Sequence, residues 1–426
     1  MTNRSYEASA RLFERMARVM PAGSTRTTTY YSPFPIGVDR GEGYRLWDVD
    51  GNEYVDMLGN YSAHVHGHAH PLIVAAAERA LRQGSAHPAP LVVQAELAER
   101  ICARIPSVEK VRFTNSGNEA VMIAIRAARA ITGRDSIVKA IGGYHGSWEQ
   151  VALGASEDEH LHAGHAATEP GIPSRVGEML HSVRYNDVSH LESTMAEHGG
   201  DVAAILLEPV LGHIIEPATG DYLRRARELA DEFGALLVLD EVITLRLHES
   251  GVQTLRGVTA DLTTMGKIIG GGFPVGGVGG GDDVMSIFDP RNAGHIEHHG
   301  TFNGNAPTMA AGAVSLDLLP QAEIDRINTL GERLATRLNE LLVASPLDLS
   351  LTSYGSLMNL RGDPRDLSEL HKAALDEGVY MAPRGMICVS TVMDDDVIDN
   401  VSARFERAMS SLPPSEVPHG AVGATR

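Results

Sequence analysis

Residues 263–281 read TTMGKIIGGGFPVGGVGGG, in which a single lysine, Lys267, follows an apolar-polar strand pattern and precedes a cluster of glycines. Glycine permits positive φ angles and lets the backbone approach another group closely. A lysine in this setting is a candidate Schiff-base nucleophile, because desolvation and a neighbouring cation lower the pKa of its amine. The glycines are not a dinucleotide-binding fingerprint, since the stretch contains no complete G-x-G-x-x-G.

Upstream of this lysine, the apolar run LLVLDEV at residues 236–242 carries Asp240 at its end. A carboxylate at the end of a buried strand is costly unless it meets a cationic or hydrogen-bonding partner. A pyridinium nitrogen would serve, and the aspartate would then keep that ring protonated so that it acts as an electron sink. A salt bridge to Arg246 is the alternative that the sequence leaves open.

Short β-branched runs alternate with helical patterns from about residue 95 to 280, which predicts a parallel α/β sheet. AAILLEP at 203–209 and LLVLDEV read as apolar strands, and the helix pattern YLRRARELADEFG at 222–234 lies between them. Ligands bind at the carboxyl ends of strands in such sheets. We therefore expect Glu208 and Asp240 to face one site.

Two glycine-containing turns are candidates for cofactor contact. FTNSGNE at 113–119 predicts a helix that begins with Ser116 and Glu119 in capping-box spacing, and a helix N-terminus suits a phosphate monoester. An ordinary helix cap that binds nothing is the alternative. GGYHGS at 142–147 holds Tyr144, whose ring could stack on a planar cofactor or pack beneath the loop.

The order S-G-N-E, Y-H-G, E-P-V, D-E-V, G-K and T-F-N-G-N along the chain resembles the class III aminotransferases of fold type I. This family includes glutamate-1-semialdehyde 2,1-aminomutases and β-amino-acid aminotransferases, and the resemblance covers nearly the whole chain. It implies an enzyme that uses pyridoxal 5′-phosphate. The implied α/β fold has a large domain with a mostly parallel central sheet and a smaller α+β domain built from the chain ends.

The domain boundaries follow from this resemblance and from a change of pattern after about residue 310. Residues 1–65 are expected to form an N-terminal segment and part of the small domain, and residues 66–310 the large cofactor-binding domain. Residues 311–412 are expected to form the small C-terminal domain. Residues 413–426 are rich in Pro and Gly and poor in large apolar residues, so we expect a disordered tail.

The resemblance also implies three catalytic residues, Lys267, Asp240 and Tyr144. Lys267 would form the internal aldimine with the cofactor, and Asp240 would pair with the nitrogen of the cofactor ring. Tyr144 would stack on one face of that ring, with Val242 on the opposite face. Glu208 would order the hydrogen bonds around Asp240.

The remaining cofactor residues are implied by the resemblance in the same way. Ser116, Gly117 and Asn118 would hold the phosphate, although Asn118 replaces the Thr that is more usual in the family. His145, in the Y-H-G turn, belongs to the cofactor-binding set. Thr301, in the T-F-N-G-N loop, would reach the phosphate of the neighbouring subunit, which implies a homodimer with shared active sites.

Substrate choice should depend on groups that bind carboxylates, and the arginine fork is the side chain best shaped for bidentate binding. Arg26 lies in MPAGSTRTT at 20–28, which resembles the substrate-carboxylate loop of the family. Arg384 lies in a P-R-G segment that resembles the β-amino-acid branch rather than the aminomutases. Tyr61 is a third candidate substrate residue. The alternatives are a surface charge for Arg26 and a structural ion pair for Arg384.

The expected reaction is ping-pong transamination between an amino acid and a keto acid such as 2-oxoglutarate or pyruvate. The resemblance favours a β-amino acid as the donor. Intramolecular amino transfer of the glutamate-1-semialdehyde 2,1-aminomutase type is the first alternative. A module that binds the cofactor without turnover is the second, and the presence of every chemical residue argues against it.

Composition narrows the partners to small molecules. The chain carries 36 basic and 55 acidic residues, a formal net charge of −19, which disfavours binding to nucleic acid or anionic membranes. It contains 2 cysteines and no apolar run near the roughly 18 residues that span a bilayer, so we expect a cytoplasmic protein. His64, His66, His68 and His70 alternate, but Gly67 breaks the strand that would align them, and no metal site is predicted.

Overall fold

The computed structural model describes residues 4–153 and 170–412, so the tail predicted at 413–426 lies outside the described residues. In chain order the strands are β1 (Val38–Glu42), β2 (Arg45–Asp48), β3 (Glu53–Asp56), β4 (Lys110–Thr114), β5 (Ser136–Ala140), β6 (Leu180–Val183), β7 (Val202–Leu207), β8 (Val210–Leu211), β9 (Glu216–Pro217), β10 (Leu236–Asp240), β11 (Leu262–Gly266), β12 (Gly276–Gly280), β13 (Leu349–Tyr354), β14 (Leu357–Gly362), β15 (Val379–Tyr380) and β16 (Met386–Cys388).

The α-helices are α1 (Glu7–Ala17), α2 (Gly59–Ser62), α3 (Pro71–Arg82), α4 (Val92–Arg104), α5 (Gly117–Thr132), α6 (Glu149–Ala152), α7 (Ser174–Gly177), α8 (Val188–His198), α9 (Gly220–Phe233), α10 (Val252–Leu255), α11 (Asp282–Met285), α12 (Ala306–Asp317), α13 (Gln321–Ala344), α14 (Pro364–Asp376) and α15 (Asp395–Ser410). In the part of the chain that the structure describes, no helix is both long enough and apolar enough to cross a bilayer.

The chain divides into two compact units. Residues Pro71–Ile324 form one unit, and Met1–His70 together with Asp325–Arg426 form the other. The first unit contains the central sheet, whose strand order is β4-β12-β11-β10-β7-β5-β6. Strands β11, β10, β7, β5 and β6 pair in parallel, while β12 pairs antiparallel with β11 and β4. The predicted α/β fold with a mostly parallel central sheet is confirmed.

Strand β7 is buried on both faces of the sheet. All six of its residues, Val202–Leu207, are buried. Leu207 packs in a cluster with Tyr222 of α9, whereas Leu206 packs in a second cluster with Ile125 of α5. Because successive side chains of a strand point to opposite faces, helices cover both sides of the sheet. Each fully buried leucine stabilises the fold by roughly 1.5–3 kcal/mol.

The unit formed by the chain ends contains two smaller sheets. One has the order β1-β2-β3-β15 and the other the order β13-β14-β16. Strand β15 pairs in parallel with β3, although their sequence positions lie far apart, and the other pairings are antiparallel. The first and last parts of the chain are therefore joined through backbone hydrogen bonds in one sheet.

Helix α5 begins where the sequence predicts a helix start. The Ser116 hydroxyl accepts a hydrogen bond from the backbone N–H of Glu119 at 3.2 Å. The Glu119 carboxylate accepts in return from the N–H of Asn115, one residue before the cap, at 2.6 Å. The helix ends at Thr132 and is capped by Gly133 in the left-handed conformation, with φ +68°. The capping interaction at Ser116 is thus present, and its reciprocal bond is shifted by one residue from the standard capping box.

Candidate active site

Three neighbouring strands of the central sheet bring polar residues to their carboxyl ends. Glu208 follows β7, Asp240 ends β10 and Lys267 follows β11. Strand β10 pairs in parallel with both β7 and β11, and Asp240 lies opposite Thr264 in the register. The expected convergence of Glu208 and Asp240 at one edge follows from this strand order, and Lys267 joins them there.

Asp240 is buried, and its carboxylate has two hydrogen-bond partners. Its Oδ2 atom lies 2.9 Å from Nδ1 of His145, and its Oδ1 atom accepts from the N–H of Val242 at 3.1 Å. An ionised carboxylate can only accept, so Nδ1 of His145 carries the proton. Burial lowers the pKa of His145, and the hydrogen bond to Asp240 opposes that shift. The imidazole of His145 is therefore a side-chain partner of Asp240 that the sequence did not suggest.

Glu208 connects the strand edge to the loop that carries Tyr144. One carboxylate oxygen accepts from the N–H of Tyr144 at 2.9 Å and the other from the N–H of Gly212 at 3.1 Å. Burial and the nearby charge of Asp240 raise the pKa of Glu208 to about 8, against the effect of these two hydrogen bonds and of Lys267. Burial and the neighbouring negative charge thus both favour the protonated form of Glu208.

Lys139, in the middle of β5, is a residue that sequence reasoning missed. Its side chain is fully buried, and Nζ donates to the backbone carbonyls of Val151 at 3.0 Å and Leu153 at 2.8 Å. Burial lowers the pKa of Lys139 to about 7, and the charge of Glu208 opposes this shift. The signal was a lysine inside the otherwise apolar run IVKAI, which a buried strand tolerates only with dedicated partners.

The side chains predicted to flank a cofactor ring differ in exposure. The Tyr144 ring is 61% exposed, so it does not pack beneath its loop. Val242 lies against two glycines: a Cβ built on Gly117 would be 3.0 Å from Val242 Cγ2, and one on Gly266 would be 3.3 Å from Val242 Cγ1. A side chain at Gly117 would therefore push Val242 away from the start of α5.

The first turn of α5 presents backbone donors. Ser116 Oγ takes the N–H of Glu119, and the N–H groups of Gly117 and Asn118 have no acceptor within residues 4–153 and 170–412. The Asn118 side chain is engaged elsewhere, since its Oδ1 accepts from the N–H of Ser147 at 2.8 Å. Free N–H groups and the positive end of the helix dipole suit an anion such as a phosphate.

The glycine-rich strand β12 allows this turn to pack against the sheet. A Cβ built on Gly276 would lie 2.0 Å from the carbonyl oxygen of Ser116 and 2.3 Å from Oγ1 of Thr114. No side chain fits at that distance. The glycine at position 276 therefore allows β12 to pack closely against the turn that begins α5, the candidate phosphate-binding site. The sequence alone suggested this use of glycine without identifying the neighbour.

Lys267 has a strained backbone, with φ +48°. It opens a short 3₁₀ turn, Lys267–Gly270, directly after β11. A non-glycine residue in the left-handed region costs about 1–3 kcal/mol, and such strain is concentrated at functional sites. The buried hydroxyl of Thr264, three residues earlier, has no hydrogen-bond partner among the described residues. The edge thus combines a strained lysine with a polar atom that a ligand could satisfy.

Thr301 lies on an exposed loop that is tied to the start of α5. The amide of Asn303 accepts from Nδ2 of Asn115 at 2.7 Å and contacts Nε2 of His298 at 3.2 Å. Thr301 itself is exposed and makes no side-chain hydrogen bond in the described part of the chain. The Asn115–Asn303 pair was not predicted, and the Asn in T-F-N-G-N was its only signal.

The three predicted substrate residues lie in the unit formed by the chain ends, and all the others lie in Pro71–Ile324. Arg26 is exposed, and its Nη1 donates to Oδ1 of Asn60 at 2.8 Å. The Tyr61 hydroxyl donates to the carbonyl of Thr28 at 2.6 Å. Arg384 is exposed between β15 and β16, and neither arginine has a carboxylate partner within residues 4–153 and 170–412. The structural ion pair considered for Arg384 is therefore not formed by the described residues.

Two of the four alternating histidines, His66 and His68, hydrogen-bond to side chains of the same unit. Nε2 of His68 lies 2.7 Å from the Asp56 carboxylate, and Nδ1 of His66 lies 3.0 Å from the Thr391 hydroxyl. No three His, Cys, Asp or Glu side chains in the described ranges are grouped so that they could hold a metal ion.

Comparison with known proteins gives a consistent result. A family model described as aminotransferase class-III matches residues 27–409. A β-phenylalanine transaminase from Variovorax paradoxus is 39% identical over 413 residues, covering 93% of this chain and 91% of that protein. A glutamate-1-semialdehyde 2,1-aminomutase from Methanothrix thermoacetophila is 36% identical over 423 residues, covering 94% of this chain and 96% of that protein.

The fold gives the same answer. A solved structure of a transaminase with pyridoxal phosphate bound superimposes with a TM-score of 0.89 at 34% identity, covering 96% of this chain and 98% of that one. The predicted resemblance and the predicted cofactor are both confirmed. The chain therefore belongs to the class-III aminotransferases of fold type I, and its cofactor is pyridoxal phosphate.

Proposed function

We propose that this aminotransferase transfers the amino group of a β-amino acid to a keto acid such as 2-oxoglutarate or pyruvate. The observation that carries the proposal is a pair of exposed arginines, Arg26 and Arg384, neither of which pairs with a carboxylate of the described residues. An arginine fork that is not paired with an internal carboxylate is suited to a substrate carboxylate. The 39% identity to a β-phenylalanine transaminase supports the same donor class.

The residues at the sheet edge fit the cofactor. In this proposal the free N–H groups of Gly117 and Asn118, with Ser116, hold the phosphate, and the unpartnered hydroxyl of Thr264 supports a polar ligand at this edge. Asp240, oriented by His145, would keep a proton on the ring nitrogen. When bound, pyridoxal phosphate supplies an electron sink that stabilises negative charge on the substrate carbon.

Three further side chains complete the proposed chemistry. The amine of Lys267 would move a proton between the substrate carbon and the cofactor after the substrate amine displaces it. Tyr144, exposed and anchored through its backbone N–H to Glu208, would cover one face of the ring, and Val242 the other. Both contacts keep water from the reacting atoms.

The two arginines should affect different half-reactions. We expect Arg26→Ala to impair mainly amination of the cofactor by β-amino acids, and Arg384→Ala mainly the return reaction with 2-oxoglutarate. Loss of a charged bidentate contact costs about 2–5 kcal/mol, which is measurable as a rate or affinity change. Single-turnover absorbance of each half-reaction checks this. Equal and small effects on both halves would reject the two-arginine assignment.

Intramolecular amino transfer is the alternative activity, because a glutamate-1-semialdehyde 2,1-aminomutase is 36% identical to this chain. The two activities differ in where the amino group goes. Bleaching of the cofactor absorbance by an amino donor, followed by recovery with a separate keto acid, identifies a transaminase. Retention of the amino group within one substrate identifies a mutase, and no spectral change with any donor identifies a binding module without turnover.

We propose a homodimer with shared active sites. Large apolar side chains stand at least half exposed in the Pro71–Ile324 unit at Leu72, Leu81, Val92 and Phe302, and Phe302 adjoins Thr301. Burying such side chains against a second copy would stabilise the assembly.

Sedimentation of the holoenzyme should therefore give about twice the chain mass of 45.6 kDa. We also expect Phe302→Asp to shift the equilibrium towards monomer, because a charge would be buried in the interface. A fully active monomer would contradict the shared site.

A further inference from the structure

The short element α2 (Gly59–Ser62), which follows β3 in the chain-end unit, is a left-handed turn over four consecutive residues. Gly59, Asn60, Tyr61 and Ser62 have φ angles of +54°, +50°, +56° and +70°. Only the first is a glycine, and L-residues in this conformation are strained because Cβ approaches the carbonyl oxygen. A run of such residues persists only where its surroundings hold it, and it is most common at functional sites.

Asp56 holds the start of this turn. Its Oδ1 accepts from the N–H groups of Leu58 at 2.9 Å and Gly59 at 3.0 Å, and its Oδ2 lies 2.7 Å from Nε2 of His68. The N–H of His64 closes the far side by donating to the carbonyl of Gly59 at 2.9 Å. The strained conformation is therefore maintained from both ends.

The turn directs two side chains at the segment that contains Arg26. Asn60 Oδ1 accepts from Nη1 of Arg26 at 2.8 Å, and the Tyr61 hydroxyl donates to the carbonyl of Thr28 at 2.6 Å. A right-handed turn would carry both side chains in other directions, since inverting φ at consecutive residues reorients each Cα–Cβ bond. The left-handed conformation therefore fixes the position of the segment that contains Arg26.

The backbone of Arg26 is fixed independently of its guanidinium. Its N–H donates to Oγ of Ser24 at 3.1 Å, and its carbonyl accepts from Oγ of Ser24 and from Oγ1 of Thr29, both at 2.9 Å. Asn60 is the single side chain of the described residues that bonds the guanidinium itself. The direction of the arginine fork consequently depends on Asn60.

Asn60 fixes this cation without neutralising it. An amide oxygen accepts a hydrogen bond but carries no net charge, so the full positive charge of Arg26 remains for an external anion. A carboxylate at the same place would pair with the arginine and repel a substrate carboxylate. The chemistry of residue 60 therefore matters as much as its position.

We infer that Asn60 is a positioning residue for Arg26, and that the left-handed turn Gly59–Ser62 selects carboxylate-bearing substrates by holding a charged but oriented guanidinium. This inference rests on the proposed role of Arg26 in binding the substrate carboxylate. It adds a residue and a backbone conformation that act through Arg26.

The test follows the fall in cofactor absorbance when the holoenzyme reacts once with a β-amino acid. The dependence of this single turnover on substrate concentration gives the apparent dissociation constant. We expect Asn60→Asp to raise this constant about tenfold or more, because the new charge pairs with Arg26. Asn60→Gly tolerates the positive φ and removes the acceptor together with the rest of the side chain, so a rise of about two- to tenfold is expected. The rate at saturating substrate should change less than the dissociation constant in both variants.

Asn400→Asp is the matched control, because Asn400 Oδ1 also accepts from an arginine, Arg404, at 2.7 Å on helix α15. It introduces the same charge beside an arginine outside the turn, and the dissociation constant should stay within twofold of the parent value. A change equal to that of Asn60→Asp would show that the effect is not specific to the turn, and would overturn the inference.

A double-mutant cycle separates the inference from the proposed function. In an Arg26→Ala background, Asn60→Gly should have no further effect, because no arginine is left for the residue 60 side chain to orient. If Arg26→Ala raises the dissociation constant and Asn60→Asp alone does not, the inference is overturned and the role of Arg26 stands. If Arg26→Ala itself has no effect, the proposed substrate contact fails and the inference fails with it.

Discussion

The Lys267→Ala variant is expected to fold, to retain pyridoxal phosphate without the covalent link, and to lose transamination by orders of magnitude. Loss of a general acid-base group alone costs about 10²–10⁴-fold in rate, and loss of the amine proposed to link the cofactor would add to this. The contacts proposed for the phosphate with α5 and for the ring with Asp240 do not involve the lysine, so cofactor binding should persist. Alanine keeps the same strained φ, so folding should be little changed.

No other lysine of the described residues can take over this role at the sheet edge. Lys139 is fully buried, and its amine is bound to two backbone carbonyls. Lys110→Ala is the matched control, because that lysine is exposed and pairs with Asp282 on the surface. Absorbance of the lysine-linked cofactor and steady-state turnover are the measurements. Transamination by Lys267→Ala near the parent rate would refute the assignment of the nucleophile.

The Asp240→Asn variant is expected to show the second-largest effect, a fall in turnover of about 10²–10³-fold with the cofactor still bound. Removal of one electrostatic group aimed at developing charge typically costs this much. The packing around this buried residue should survive with one hydrogen bond lost, because asparagine has nearly the same shape and its single amide oxygen can still accept from His145 or from the N–H of Val242, though not from both. What it lacks is the negative charge that would keep a proton on the ring nitrogen.

Asp261→Asn provides the comparison for this substitution. Asp261 lies at the opposite end of the same strand pair, where its carboxylate accepts from the N–H of Leu237 and from Arg227, both at 2.7 Å. Loss of that carboxylate should lower thermal stability and leave turnover per folded molecule nearly unchanged. If Asp240→Asn turned over substrate within tenfold of the parent, Asp240 could not be the residue that maintains the ring proton.

Local sequence patterns predicted much of the fold correctly. The helix predicted to begin at Ser116 is α5, which spans Gly117–Thr132, and the apolar runs around Leu206 and Leu239 form the neighbouring strands β7 and β10. These elements obey short-range rules, because capping, periodicity and apolar runs are properties of adjacent residues. The same rules placed Glu208 and Asp240 at strand ends.

The partners of these residues could not be predicted in that way. The sequence left Asp240 with a choice between a ring nitrogen and Arg246, whereas the folded chain pairs it with His145, 95 positions away. The partners of Lys139 could not be predicted because they are backbone atoms, the carbonyls of Val151 and Leu153. A pattern of side-chain types does not indicate backbone acceptors. Both cases concern hydrogen bonds formed after distant segments meet.

The amino-acid sequence by itself determined the family, the strand-and-helix order and the location of Lys267 after its strand, because these depend on residue type and local spacing. The tertiary structure decided the protonated nitrogen of His145, the raised pKa of Glu208 and the left-handed turn at Asn60. Burial, charge proximity and a maintained positive φ arise only when separate segments pack together, and local residue preferences do not specify them.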